Sequence, residues 1–237
     1  MTPGRIIVAV HGSERSSELM RNAFADAAGT TGSVLICPLF PIGIHGKGDE
    51  PADKFILWNG LRYDHALEAM LVDAAQRFGF APAPVHISGF SGDAQFAQRY
   101  LLVRPENVAS ASVKGPGYVS ARPWWTGTAD METHFAAPCH LAALRKVPVQ
   151  VIVGAQDTGQ AFMTIARESP IRAGGANDMG GTGIETTRLL TMNLQSQAIA
   201  VRFDMADQTR HEMTANVIAA VTELWREVLG PTDRDSG

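Results

Sequence analysis

The chain has 237 residues, of which 45% are hydrophobic and 19% charged, and a formal net charge of −4. That length suits one large domain, and the apolar share is enough for a sizeable core. The acidic balance offers no basic footprint for nucleic acid or anionic lipid, and no apolar run approaches the roughly 20 residues that a bilayer needs.

Only a brief apolar run follows Met1, so no signal peptide is expected. The two cysteines, Cys37 and Cys139, stand outside any CxxC or Cys/His cluster. Cys37, in VLICPLF, reads as a buried apolar residue, and a reducing, cytoplasmic setting is expected.

Short apolar runs alternate with helix-period segments along the chain. RIIVAV (5–10) and SVLICP (33–38) read as strands with a helix over 16–28 between them. A helix over 63–78 precedes the strand PVHIS (84–88), and a helix over 94–103 follows it. VASASVKG (108–115), VPVQVIVG (147–154) and AIAVRFD (198–204) complete the strands, with helices over 185–197 and 211–229. Most of these strands are continuously apolar, as expected where helices cover both faces of a sheet. The alternation predicts a single α/β domain with a mostly parallel sheet of about six strands. Two connections, 115–143 and 158–183, are longer than strand-to-helix turns need. The second carries the glycine-rich AGGANDMGGTG, and together they are candidates for a small lid. The end of the chain, 231–237, reads as a polar, frayed tail.

Gly89-Phe90-Ser91-Gly92-Asp93 falls where a strand hands over to a helix. A serine on such a strained turn presents its hydroxyl above the carboxyl edge of the sheet, and small neighbours let strand and helix pack closely. A helix N-cap serine would look the same by itself. Later in the chain, VIVGAQDT ends a strand and exposes Asp157, and DQTRHEMTANVI places His211 just before the last helix. A serine nucleophile needs a base, and the base an orienting acid. Ser91, Asp157 and His211 occur in the order typical of α/β-hydrolases, all at one sheet edge. Asp130 and Asp207 are alternative acids. The Gly92 N–H and the Ser13 N–H, in VAVHGSERSS after the first strand, are candidate oxyanion donors, with His11 fixing that loop.

These segments resemble the α/β-hydrolase superfamily from the VAVHG strand to the histidine-bearing loop. Within them, GFSGDAQFAQRYLLVRPENVASASVKGPG resembles the serine esterases grouped with poly(3-hydroxybutyrate) depolymerases and feruloyl esterases. That group carries a G-F-S-G-G-x-Q-F-x-x-R-Y/F elbow and helix followed by H/R-P-E-x-V. The resemblance implies hydrolysis of a small carboxylic ester through an acyl-enzyme, with no metal or organic cofactor. An amidase, thioesterase or lactonase with the same triad, and a ligand receptor on the same fold, are the alternatives. The chain departs from the pattern at Asp93, where the group has glycine. It also starts at a strand the family usually places third, so a sheet lacking the first two strands is expected.

Asp93 admits two readings. In the first turn of a helix a carboxylate favours the positive end of the dipole; turned toward the site mouth, it would meet a cation or a polar substrate group. Trp124 and Trp125 are either packing residues or an apolar substrate wall, and Phe40 in LFPIGIHG either lines the same pocket or joins the core. The seven histidines show no HxxxH spacing, and the glycine-rich stretch lacks the Lys-Ser/Thr of a phosphate-binding loop.

Overall fold

In the computed structural model, residues 4–116, 135, 140–159, 168 and 180–230 are described. Strands β1 (Ile6–Val10), β2 (Val34–Ile36), β5 (Val85–Phe90), β6 (Val108–Lys114), β7 (Val149–Gly154) and β8 (Val201–Ala206) form one sheet. Its order is β2-β1-β5-β6-β7-β8, and every neighbouring pair is parallel. All six carboxyl ends therefore open on one edge, with β5 near the middle. β3 (Leu57–Trp58) and β4 (Leu61–Arg62) form a separate antiparallel hairpin that the apolar pattern did not signal, since each contributes only two residues.

Helices α1 (Ser17–Thr31), α2 (Tyr63–Phe78), α3 (Gly92–Val103), α4 (Leu141–Leu144), α5 (Gly183–Ser196) and α6 (Ala215–Leu229), with two short 3-10 helices at Asp53–Phe55 and Pro105–Asn107, complete the described elements. Their ends follow local chemistry. Ser16 accepts a hydrogen bond from the Leu19 N–H to start α1, and Gly32 ends it at φ 63°, a left-handed conformation cheap only for glycine. Thr182 accepts from the Glu185 N–H, and Glu185 reaches back to the Gly181 N–H. Thr214 caps α6, so the last helix begins after His211 rather than at it.

The pleat of β1 shows why a continuous apolar run suits this sheet. Ile6, Val8 and Val10 face the main core with residues of α2 and α3, while Ile7 and Ala9 face a second cluster built on Phe24 of α1 and Trp225 of α6. Phe24 and Trp225 meet edge to face with centroids 4.8 Å apart. Asp64, at the entry to α2, is buried and held by Arg62 (2.7 Å) and Arg104 (3.1 Å), a structural role.

Candidate active site

Ser91 joins β5 to α3 with φ 54° and ψ −117°, a conformation rare for a residue with a side chain and costing on the order of 1–3 kcal/mol. Two features hold it there. Its N–H donates to the Lys114 carbonyl at 2.9 Å, extending the β5–β6 ladder by one bond. Gly89 lies against the first turn of α3 so closely that a Cβ would overlap the Asp93 carbonyl. Strand and helix can approach this far only with glycine at that position.

His211 and Asp157 come from loops that are tied together. After β7 the chain passes through Gly154, where a Cβ would overlap the Thr209 and Arg210 carbonyls of the loop after β8. The Gln156 N–H donates to the Thr209 carbonyl at 2.8 Å across the same contact. Asp157 is buried, with its carboxyl group against Gly183; a Cβ on Gly183 would come within 2.7 Å of Asp157 Cγ. The carboxylate thus faces the positive end of α5. His211 Nδ1–H donates to Asp157 Oδ2 at 2.9 Å, and the Ser91 hydroxyl donates to His211 Nε2 at 2.8 Å. The Phe90 ring lies beside the imidazole, centroid to centroid 5.4 Å. Of the alternative acids, Asp207 is exposed and engages Thr209 and Asn216 through its backbone carbonyl, and Asp130 lies outside the described residues.

The chain Ser91–His211–Asp157 opens into a cleft of about 720 Å³. Ser13 and Gly92 both line it, and the Gly92 N–H is one of the donors left without an intrahelical partner at the start of α3. Leu19, Met20 and Met213 supply apolar wall, while Lys54 and Gln95 supply polar groups. None of these five had a signal in the sequence, because they reach the cleft from separate segments. Among the described residues, no group of three His, Cys, Asp or Glu side chains is placed to hold a metal ion.

Phe40 is not part of the cleft. Its N–H donates to His11 Nε2 at 3.1 Å, which turns the ring inward against Tyr63 (5.6 Å) and Phe96 (5.0 Å). Its place is the core, and the apolar residues that remain about half exposed in that loop are Leu39, Ile42 and Ile44. Trp124, Trp125, Cys139 and most of the two long connections, together with the tail, lie outside the described residues.

Asp93 stands in the first turn of α3, where the first reading puts it, and not at the mouth of the cleft. It is fully buried behind the elbow. His11 Nδ1 lies 2.6 Å from Asp93 Oδ2, yet its N–H is directed at the Gly12 carbonyl 2.9 Å away, so the carboxyl group has no well-aligned donor. With Nε2 accepting from Phe40, His11 is held as the neutral Nδ1–H tautomer. Asp53 also contacts Asp93 and is ion-paired with Arg15, whose guanidinium is 4.0 Å from Asp93. Burial pushes the Asp93 carboxyl up to about 7; the His11 contact opposes this and Asp53 adds to it. Asp53 moves the other way, below the usual carboxylate range: burial opposes ionisation, but the bonds from Asp93 and Arg15 outweigh it.

The fold is the α/β-hydrolase fold. A poly(3-hydroxybutyrate) depolymerase from Bordetella parapertussis superposes with a TM-score of 0.67 at 16% identity, covering 99% of this chain and 83% of that one. Poly(aspartic acid) hydrolase-1 from Sphingomonas sp. KT-1 gives 0.66 at 16% identity, covering 97% and 89%. An S-formylglutathione hydrolase from Agrobacterium tumefaciens gives 0.62 at 14%, covering 97% and 85%. No family model and no curated protein matches the sequence. No helix among the described residues is long and apolar enough to cross a membrane.

Proposed function

We propose that this chain is a serine hydrolase that cleaves a small carboxylic ester through an acyl-enzyme, as a single domain working in the cytoplasm without metal or cofactor. The observation that carries the reading is the unbroken hydrogen-bond chain from Ser91 Oγ through His211 to Asp157, set on a strained strand-to-helix turn. The hydrolase names of the structural neighbours support the same class.

In this reading His211 Nε2 takes the Ser91 proton as Oγ attacks the ester carbonyl. Asp157 keeps the imidazole in the tautomer with Nε2 free and stabilises the imidazolium as it forms. The N–H groups of Gly92 and Ser13 bind the developing oxyanion. His211 then gives its proton to the departing alcohol, and water activated by the same nitrogen releases the acid.

Turnover of p-nitrophenyl acetate and butyrate, with fluorophosphonate labelling mapped by mass spectrometry, tests the reading. Ester hydrolysis with the label on Ser91 is expected. A panel in which thioesters, amides or lactones turn over and esters do not would reassign the bond; an unlabelled, inert protein would indicate a ligand receptor.

A further inference from the structure

Lys54 has no role in the steps above, yet it occupies the cleft beside the nucleophile. Its Nζ donates to Ser13 Oγ at 2.9 Å, and its Cε and Nζ lie 2.5 and 3.0 Å from where a Cβ on Gly92 would stand. Arg99 holds the Lys54 backbone by donating to its carbonyl at 2.6 Å, and the bond to Ser13 directs the ammonium into the cleft.

An ammonium has three protons to donate. Lys54 satisfies one on a serine hydroxyl, and among the described residues no carboxylate lies within 4.0 Å of its Nζ, Glu14 in the same cleft included. Asp53 and Asp93 beneath it act on the ammonium through space, but neither bonds to it, and Asp53 is ion-paired with Arg15. A partly buried cation with unspent donors at the wall of a cleft is a place for an anion.

Position decides which part of a substrate that anion belongs to. Lys54 stands over Gly92, on the side where the acyl carbonyl oxygen would be held. The leaving group departs toward His211, and there the cleft wall continues into Glu212. An anionic alcohol would meet that carboxylate, whereas an anion on the acyl chain would meet the ammonium. Because Lys54 contacts the residue next to Ser91, the chain between the two carboxyl carbons must be short.

We propose that the site prefers esters of short dicarboxylic acids, with Lys54 holding the free carboxylate of the acyl group; this rests on the esterase reading of Ser91. A charge-assisted hydrogen bond of this kind is worth about 30-fold in discrimination. The test compares monoethyl succinate with ethyl butyrate, which have acyl chains of similar length, by proton release. The native enzyme should favour the succinate monoester in kcat/KM, Lys54→Met should lower that ratio about 30-fold, and Lys54→Arg should keep most of it.

Equal loss on both esters, or a native preference for butyrate, would overturn the proposal. Calorimetric titration of Ser91→Ala with succinate and butyrate gives a readout independent of turnover. Succinate should bind more tightly than butyrate and lose that advantage when Lys54→Met or Lys54→Gln is added; unchanged succinate binding would overturn the proposal. Failure of Ser91 to take a fluorophosphonate label would instead overturn the esterase reading, leaving calorimetry to decide the carboxylate site.

Discussion

Replacing Asp93 by asparagine should make the protein more stable, by a margin that grows as the pH rises from 5 to 8.5. The wild-type carboxyl is fully buried beside His11, whose Nε2 accepts from the Phe40 N–H and whose Nδ1–H is directed at the Gly12 carbonyl. Ionising it therefore leaves a charge without a counter-charge of its own, Arg15 being committed to Asp53. Burial holds its pKa at about 7 in the folded chain, well above the ordinary carboxyl value of 3.8. Between those values the native state keeps a proton that the unfolded state has released, so stability falls as pH rises through that window. At 1.36 kcal/mol per unit the Asp93 contribution reaches at most about 4 kcal/mol above neutrality. Asp53, whose pKa is lowered, acts in the opposite sense, but only below the usual carboxylate range. Asparagine is a neutral isostere of the protonated acid and carries no such penalty. Urea unfolding at pH 5 and pH 8.5 reads the difference. The variant should already have the higher midpoint at pH 5, by on the order of 0.5 M, and the gap should widen by on the order of another 1 M at pH 8.5. Parallel pH profiles, or a variant weakest at pH 8.5, would mean that Asp93 is ionised and paired with His11, and would refute this reasoning.

Other substitutions probe the site from different directions. Asp157→Asn should leave the urea midpoint nearly unchanged and lower kcat about 10⁴-fold on p-nitrophenyl butyrate, by favouring the wrong imidazole tautomer. Gly183→Ala should lower kcat on the order of 10²-fold without touching any reacting atom, because the new methyl would stand 2.7 Å from Asp157 Cγ and displace the acid; unchanged kcat would show that α5 can move aside. Burial pushes the Cys37 thiol up to about 11, so its alkylation by iodoacetamide at pH 8 should be roughly 100-fold slower in the native protein than in urea, as read by peptide mass spectrometry. Trp225→Ala should cost about 3–5 kcal/mol in urea unfolding, since the fully buried indole packs on Phe24 between α1 and α6.

What could be read from the chain without a structure follows the range of the interactions. The strands were legible because β1, β5 and β7 are buried on both faces and so are mostly apolar, with His86, Ser88 and Gln150 the buried polar exceptions. The elbow was legible because its geometry forces small residues into a local pattern, and Asp157 and His211 each end a recognisable strand-to-helix passage. The start of the last helix was placed too early because a threonine cap, not the apolar period, sets it at Thr214. Phe40 could not be assigned between core and pocket from LFPIGIHG, since a bond from its backbone to His11, 29 positions away, turns its ring inward. Lys54 lies 41 positions from the Ser13 hydroxyl it meets, and Asp93 is 82 positions from His11 on the numbering of the chain. Local periodicity carries no trace of such pairings.

The most direct test is steady-state turnover by Ser91→Ala and His211→Ala beside the native chain, each checked for an unchanged unfolding transition. If Ser91 is the nucleophile and His211 its base, they act as a unit, and either loss should lower kcat on p-nitrophenyl butyrate by on the order of 10⁶. A Ser91→Ala protein that keeps even about a tenth of native turnover would contradict an acyl-enzyme at Ser91, because losing the nucleophile cannot cost so little.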